Sequence, residues 1–166
     1  MKKVSIRYQK MQDAKRFFDI LVNPKFIYLP VKVKSLAEEK EYLKKNLLKR
    51  KNNLEWDYTI LYGDEIAGAI GIKINQFRKY IGEIGYFIDE KYWGQGIASK
   101  AVKLIEYEGF KKIGLSRIEI IMRPENKASE KVALKNGYKK EGCLKKSLID
   151  KRSGKMKDAL LYAKTL

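Results

Sequence analysis

The sequence contains no histidine and only one cysteine, and these two absences remove several kinds of chemistry. Without an imidazole, serine–histidine triads and the common zinc sites are excluded. The single cysteine, Cys143, cannot form a disulfide within the chain, which is typical of proteins in a reducing compartment. We therefore predict a cytoplasmic protein with no metal site, in which Cys143 packs against its neighbours and has no catalytic role.

Long hydrophobic runs are also absent. No uninterrupted apolar stretch approaches the ~20 residues of a membrane span, and the charged N-terminus is not followed by the apolar segment of a signal peptide. With 166 residues, of which 45% are hydrophobic, the chain can bury a packed core. We predict one domain over residues 1–166, present as a monomer or homodimer, without membrane contact.

Positive charge is in large excess, since 37 lysines and arginines against 20 acidic residues give a net charge of +17. Such an excess is found in nucleic-acid binders, in enzymes for polyanionic ligands and in proteins of lysine-rich proteomes. The lysines are spread along the chain, and no RNA-binding motif accompanies them. We predict no direct nucleic-acid binding, while proteome bias and attraction of a polyanion both stay open.

Hydrophobic periodicity predicts the order strand, two helices, three strands, helix, strand, helix and two strands. Ser35 is predicted to cap the second helix, which runs to about Arg50. Residues 27–33, with Pro30, are predicted to connect the first two helices. Gly63-Asp64 is typical of an antiparallel hairpin turn, and Gly68 and Gly71 indicate close packing or a bulge in the following strand. The order predicts an α+β fold with a mixed, mostly antiparallel sheet of about seven strands and about four helices.

The stretch from Glu83 to Ile105 organises the chain. A strand-like run leads into a turn with Gly94 and Gly96, and a helix pattern then starts without a gap and runs to about Lys112. This arrangement aims backbone N–H groups and the positive end of the helix dipole at one point. It predicts a phosphate or pyrophosphate site.

Several segments resemble the GNAT family of N-acetyltransferases. Trp93-Gly94-Gln95-Gly96-Ile97-Ala98 resembles the family's acyl-CoA-binding loop, Gln/Arg-x-x-Gly-x-Gly/Ala, except that Trp93 takes the first place. Residues 126–142 resemble the family's later helix, which begins with Asn and ends in Gly-Phe/Tyr. Residues 83–90 and 148–162 resemble the branch that acetylates the N-termini of ribosomal proteins, where a tryptophan also occurs at the first place of the loop.

This resemblance implies a single-domain GNAT fold and direct transfer of an acetyl group from acetyl-CoA to a primary amine in a ternary complex. It implies that the strand splays at its end and binds the pantetheine through its backbone, with Asn126 contacting the same arm. It further implies that backbone amides of the loop hold the pyrophosphate, and Lys100 either adds charge or is a solvated surface residue. The implied cofactor-binding residues are Tyr86, Phe87, Ile88, Gln95, Gly96, Ile97, Ala98, Ser99 and Asn126.

The implied catalytic residues depart from the family's usual pattern. Many members have a tyrosine in the later helix, four residues before its glycine, and here that place is Ala133. Ser129 lies one turn earlier on the same helix face, and a serine there serves the leaving thiolate in the ribosomal-protein branch. The glutamate of the alanine-specific relatives is replaced by Ile121. We predict Glu83 as the base, acting through water, with Glu119 as a more distant alternative and a structural salt bridge of Glu83 as the competing interpretation.

For the acceptor, the resemblance implies a protein N-terminal α-amine, as in ribosomal proteins, entering between the first two helices and the C-terminal hairpin. Acetylation of a small amine, such as a polyamine or an aminoglycoside, stays open. The charge of +17 disfavours a polycationic acceptor through long-range repulsion. A non-catalytic CoA-binding module also stays open, because the usual tyrosine and glutamate are missing.

Overall fold

The computed structural model describes residues 2–29, 33–150 and 153–166. Its centre is one seven-stranded sheet in the order β1-β2-β3-β4-β5-β7-β6. Neighbouring strands are antiparallel except β4 and β5, which are parallel. The strands are β1 (Val4–Tyr8), β2 (Glu55–Tyr62), β3 (Glu65–Ile74), β4 (Ile81–Ile88), β5 (Arg117–Met122), β6 (Lys139–Ile149) and β7 (Met156–Thr165). The α-helices of the described residues are α1 (Asp13–Leu21), α2 (Leu36–Lys44), α3 (Asn46–Lys51), α4 (Ile97–Tyr107) and α5 (Lys127–Lys135). The predicted α+β fold with a mostly antiparallel sheet is confirmed.

Helices α1 and α2 cover one face of the sheet, where Phe17 and Leu43 pack on Ala69 of β3. Ser35 caps α2 as predicted, since its hydroxyl accepts the N–H of Glu38 at 3.2 Å. The predicted helix to Arg50 is divided at Lys45, whose N–H bonds to the carbonyl three residues earlier. Pro30, predicted to lie in the connection before α2, is outside the described residues.

Helix α4 covers the opposite face and buries Ile97, Ala101, Val102 and Ile105, each at most 2% exposed. The prediction of one helix to Lys112 is corrected beyond Tyr107, where residues 108–113 widen into a π-helical turn. Gly109 approaches the sheet closely there, because a Cβ on it would lie 2.8 Å from Ile118 Cδ1.

The β2–β3 hairpin turns at Gly63, and its register shifts by one residue opposite Gly68. A Cβ on Gly68 would lie 2.0 Å from the carbonyl oxygen of Phe87, so the close approach predicted for this glycine brings β4 against β3. Within the described parts of the chain, no helix is both long and apolar enough to cross a membrane.

Candidate functional site

Strands β4 and β5 pair only at their beginnings and then separate. The parallel ladder joins residues 81–83 to residues 117–119, whereas β4 continues to Ile88 paired with β3 alone. We call the space between residues 84–88 and the second half of β5 the β4–β5 gap. A strand edge without a partner strand leaves main-chain donors and acceptors available to another molecule.

The bonding pattern of β4 identifies which groups face the gap. The β3 side bonds to Ile81 through the Asn75 N–H, and the Asp89 N–H bonds to Ala67. Since bonding directions alternate along an antiparallel strand, the main-chain groups of Tyr86 and Ile88 point towards the gap. The Ile88 carbonyl accepts the Trp93 indole N–H at 2.7 Å. Among residues 86–88, the described structure leaves the N–H and C=O of Tyr86 and the N–H of Ile88 for a ligand.

The glycine loop follows directly on this edge. Gly94 and Gly96 adopt φ values of +75° and +72°, a region that side-chain-bearing residues adopt only at a cost. Gly96 is the N-cap of α4 and provides no side-chain cap. The first N–H groups of a helix have no intrahelical partner, so the amides of Ile97, Ala98 and Ser99 point outwards with the positive end of the dipole.

A cavity of about 350 Å³ lies at this helix end, which we call the loop cavity. Its walls include Gln95, Gly96 and Ser99 together with three lysines, Lys100, Lys103 and Lys135. Lys135 comes from the last turn of α5, and its Nζ lies 3.9 Å from the position of a Cβ on Gly96. Backbone amides, a helix N-terminus and lysines make this cavity suited to a phosphate-bearing ligand. The Gln95 side chain itself donates to the Lys91 carbonyl at 3.1 Å.

An aromatic wall stands beside the gap on the α1 side of the sheet. Phe87 packs edge-on against Phe17 of α1 at 5.7 Å and against Phe26 at 6.4 Å. Phe26 in turn contacts the ring of Trp93 edge-on at 5.7 Å. Trp93 therefore ties the glycine loop to the segment after α1, in addition to occupying the Ile88 carbonyl. Phe87, one of the predicted cofactor residues, directs its side chain into this wall.

Ser129 and Tyr86 meet on the α4 side of the sheet, with 3.1 Å between their hydroxyl oxygens. Burial raises the pKa of the Tyr86 phenol, and the bond to Ser129 opposes that rise. The backbone of Ser129 is also fixed, because the Asn126 side chain accepts its N–H at 3.2 Å and thereby caps α5. Sequence reasoning singled out Ser129 and Asn126 but missed the phenol as a partner; a tyrosine in the splayed strand was the available signal.

Glu83 lies at the last paired position of β4, next to Glu119 of β5. Side chains alternate along a strand, so Glu83 projects from the face opposite to Tyr86. Glu83 is exposed on this face, on which α1 and α2 pack elsewhere and which we call the open side, yet desolvation by the surrounding protein raises the pKa of its carboxyl. Lys73 opposes this rise and the charge of Glu119 adds to it. No hydrogen bond to the Glu83 carboxylate is formed by residues 2–29, 33–150 or 153–166.

Glu119 is held differently, although it is the register neighbour of Glu83. The Arg117 Nε donates to it at 2.6 Å, and the same guanidinium binds Glu141 of β6. This pairing lowers the pKa of the Glu141 carboxyl. Two neighbouring glutamates thus differ in chemistry, since one is engaged by an arginine and the other is left with a raised pKa.

The remaining sequence predictions concern residues that supply no reacting group. Ala133 is completely buried and has no hydroxyl to take the place of the tyrosine found there in the family that the sequence resembles. Cys143 is exposed on β6, and the prediction that it packs is wrong: in this edge strand most side chains face solvent. A second cavity of about 350 Å³ lies between α2, α3 and β2, where Asn46 and Asp57 line it, and the β4–β5 gap does not border it.

Comparison with known proteins agrees with this geometry. Residues 3–139 match the family described as acetyltransferase (GNAT) domain. An uncharacterized N-acetyltransferase of Bacillus licheniformis is 37% identical over 101 residues, 60% of this chain and 55% of that protein. The ribosomal-protein-serine acetyltransferase of Escherichia coli K12 is 31% identical over 118 residues, 71% of this chain and 66% of that protein. The chain thus spans between about half and two thirds of the length of these relatives.

A solved structure of a ribosomal L7/L12 α-N-protein acetyltransferase in complex with coenzyme A has a TM-score of 0.90 to this chain. It is 24% identical in sequence, and the match covers 100% of this chain and 96% of that one. At this identity the likeness concerns the fold alone. Since the family match spans most of the residues, from before β1 to the start of β6, the chain belongs to the GNAT acetyltransferase domain family.

Proposed function

We propose that this protein is an acetyl-CoA-dependent N-acetyltransferase that acts on a primary amine, with a protein N-terminal α-amine as its acceptor. The observation that carries the proposal is the β4–β5 gap beside the glycine loop. Among the residues that the structure describes, the gap has main-chain groups without a strand partner, and the loop has helix amides without an intrahelical partner within a lysine-lined cavity. A ligand with an amide-bearing arm and a pyrophosphate, such as coenzyme A, matches both parts.

The loop cavity would hold the phosphates. The amides of Gln95 through Ser99 surround the end of α4, and Lys103 and Lys135 add positive charge from two different helices. The positive φ of Gly96 lets the backbone come close to an anion. The Tyr86 and Ile88 main chain would hydrogen-bond the pantetheine amides across the gap. Asn126 would contribute by fixing the first turn of α5, which its capping bond already does.

The two faces of the sheet would divide the chemistry. On the α4 side, Ser129 would hydrogen-bond the sulfur as it leaves, stabilising the developing thiolate. On the open side, Glu83 would take the proton of the amine through a water molecule, since its raised pKa makes it a better base than an ordinary glutamate. Glu119 is not proposed as the base because its carboxylate already accepts a hydrogen bond from Arg117. An amine entering from one face would then attack a thioester held from the other, without a covalent enzyme intermediate.

The proposed acceptor rests on the relatives and on the open face. A ribosomal-protein-serine acetyltransferase is among the relatives, and its alignment covers 71% of this chain. The acceptor-side face carries the carboxyl group of Glu83, which in its charged form attracts an ammonium group despite the net charge of +17. The sequence-based prediction of a cytoplasmic location agrees with a supply of acetyl-CoA and nascent proteins there.

The test is an assay of thiol release from acetyl-CoA with three acceptor classes: N-terminal peptides of ribosomal proteins, polyamines and aminoglycosides. We expect turnover with peptides and acetylation of their α-amine, located by mass spectrometry after digestion. Turnover with polyamines alone would show that the acceptor is a small amine and not a protein N-terminus. Tight binding of CoA without turnover on any amine would reject the enzyme and favour a CoA-binding module.

A further inference from the structure

The hydroxyl pair of Tyr86 and Ser129 has a feature that the proposed function leaves unused. Ser129 is a weak acid by itself, and an aliphatic hydroxyl rotates among several partners. Here its oxygen lies 3.1 Å from a half-buried phenol oxygen, and the phenol makes no other hydrogen bond with the described residues. The two groups come from β4 and α5, 43 positions apart in sequence, so their meeting depends on the fold.

Which of the two hydroxyls donates the hydrogen bond follows from their relative acidity. A phenol has an ordinary pKa of about 10, far below that of an aliphatic alcohol, so the phenol is the better donor and the serine oxygen the better acceptor. Burial raises the pKa of Tyr86, which keeps the phenol protonated across the neutral range. A serine oxygen that accepts this proton still has its own proton to donate. Because the Ser129 oxygen accepts a hydrogen bond from Tyr86, the proton of the Ser129 hydroxyl points away from Tyr86 and is left for another acceptor.

We propose that Tyr86 is a positioning residue that acts through Ser129: its phenol donates to the Ser129 oxygen and so turns the serine proton towards the leaving sulfur. The inference rests on the proposed function. In the transfer step the amine nitrogen forms a bond to the acetyl carbon as the carbon–sulfur bond breaks. The bonding electron pair stays on sulfur, the surplus proton of the amine goes to water or Glu83, and no proton has to leave the phenol.

The pair acts by strengthening one hydrogen bond to a developing charge. A donor whose oxygen itself accepts a hydrogen bond is polarised and donates more strongly. The thiolate gains this stabilisation, whereas the neutral thioester gains little from it. The phenol therefore affects the rate of the bound complex and leaves the affinity for the cosubstrate unchanged.

The experiment compares Tyr86→Phe with Tyr58→Phe in the full-length protein. Tyr58 is the control: it is a buried tyrosine of β2, away from the gap, with the residue 3% exposed and its hydroxyl donating to Glu108 at 3.2 Å. We expect Tyr86→Phe to lower kcat about tenfold, the upper range for one hydrogen bond. The KM for acetyl-CoA, the Kd for CoA measured by calorimetry, and the melting temperature should match those of the control.

A double-mutant cycle with Ser129→Ala shows whether Tyr86 acts by orienting the Ser129 hydroxyl or by contacting the leaving sulfur itself. If the phenol acts only through the serine, Tyr86→Phe has no further effect on kcat once Ser129 is alanine. An unchanged tenfold loss in that background would mean that the phenol reaches the sulfur itself, and would overturn the inference. So would a kcat equal to that of Tyr58→Phe, or a loss of CoA affinity equal to the loss of rate.

The outcomes separate the two proposals. A wild-type protein that transfers acetyl groups, with a Tyr86→Phe variant that does so equally well, leaves the proposed function intact and removes the inference alone. A wild-type protein without turnover on any amine rejects the function, and the inference falls with it. Thermal melting of both phenylalanine variants excludes misfolding as the cause of a lowered rate.

Discussion

The two sides of the β4–β5 gap are lined by different kinds of chemical group. On the α4 side the site consists of main-chain amides, a helix end and two hydroxyls, and α4 and α5 hold these groups in place. On the open side it consists of the charged side chains of Glu83 and Glu119, at a part of the α1 face where Glu83 is exposed, with Arg117 of β5 bonded to Glu119. The groups on the α4 side keep one protonation state across the neutral range, whereas the role of the open side depends on the protonation state of the Glu83 carboxyl.

This difference assigns binding of the cofactor to the α4 side and activation of the amine to the open side. Backbone amides bind an anion whatever the pH, so the cofactor side should tolerate changes of solution conditions. The open side depends on which carboxylate is paired, because the Glu119 carboxylate is occupied by Arg117 while that of Glu83 is left for another partner. The arrangement predicts that variants on the open side alter rate and its pH dependence, while variants of the loop alter affinity.

The largest effect is expected from Glu83→Gln. Loss of a general base typically lowers the rate by about 10² to 10⁴, and we expect a fall in kcat within that range. Since a base acts in its unprotonated form and the pKa of Glu83 is raised, the wild-type rate should fall as the pH drops through a value above the ordinary 4.5. The variant should lose this limb of the kcat–pH profile.

Stability distinguishes this loss from damage to the fold. A carboxyl with a raised folded-state pKa stabilises the fold most below its unfolded pKa and loses this contribution as the pH rises through the folded value. Removing the charge of Glu83 should therefore leave the melting temperature at pH 7 unchanged or slightly higher. Glu119→Gln is the matched control, and an equal loss of kcat there would contradict the assignment of Glu83.

Ser129→Ala should have the next largest effect. A hydrogen bond to a charged group contributes about 1.5–3 kcal/mol, so we expect kcat to fall by roughly 10- to 100-fold. The Kd for CoA should change little, because the Asn126 cap is made to the backbone and survives the substitution. Ser147→Ala on β6 serves as a control for serine removal. A rate unchanged at saturating substrates would show that Ser129 does not face the leaving group.

Gly96→Ala tests the backbone side. At φ +72° a Cβ costs about 1–2 kcal/mol, so CoA binding measured by calorimetry should weaken about tenfold, with the fold somewhat destabilised. Gly114→Ala is matched in backbone strain, with φ +82° and open space around its Cβ position. This control should lose stability and keep its CoA affinity. Equal affinity in both variants would contradict the loop as the anion site.

Lys135→Gln should produce the smallest effect. A partly solvated lysine near a phosphate contributes below about 1 kcal/mol, so the Kd for CoA should rise about threefold at low salt. Salt should erase the difference, since screening shortens the Debye length to about 3 Å at 1 M. Lys131→Gln, an exposed lysine one turn earlier on α5, should leave the Kd unchanged. If both variants behave alike, the effect comes from net charge and not from the loop cavity.

Much of the fold was predictable from local patterns. The hairpin at Gly63, the cap at Ser35 and the apolar face of α4 depend on neighbouring residues in sequence, and they were found there. The division of the second helix at Lys45 and the π-helical turn after Tyr107 were not predictable. The second of these follows from the contact of Gly109 with Ile118, which only the packed sheet creates.

The candidate site divides in the same way. The loop from Trp93 to Ala98 was recognisable because a left-handed glycine followed by a helix is a local arrangement. The capacity of Asn126 to cap α5 was also local. What the sequence did not indicate was the pairing of Arg117 with both Glu119 and Glu141, or the meeting of Tyr86 with Ser129.

The sequence by itself therefore determined the order of elements and the anion-binding turn, because periodicity, capping and left-handed glycines act over a few residues. Only the tertiary structure decided where β4 leaves β5, which of two adjacent glutamates an arginine engages, and which hydroxyl meets the serine. These choices depend on distances between strands and helices far apart in the chain. Charge pairing and hydrogen bonding are decided within about 3 Å, a scale that only the folded chain sets.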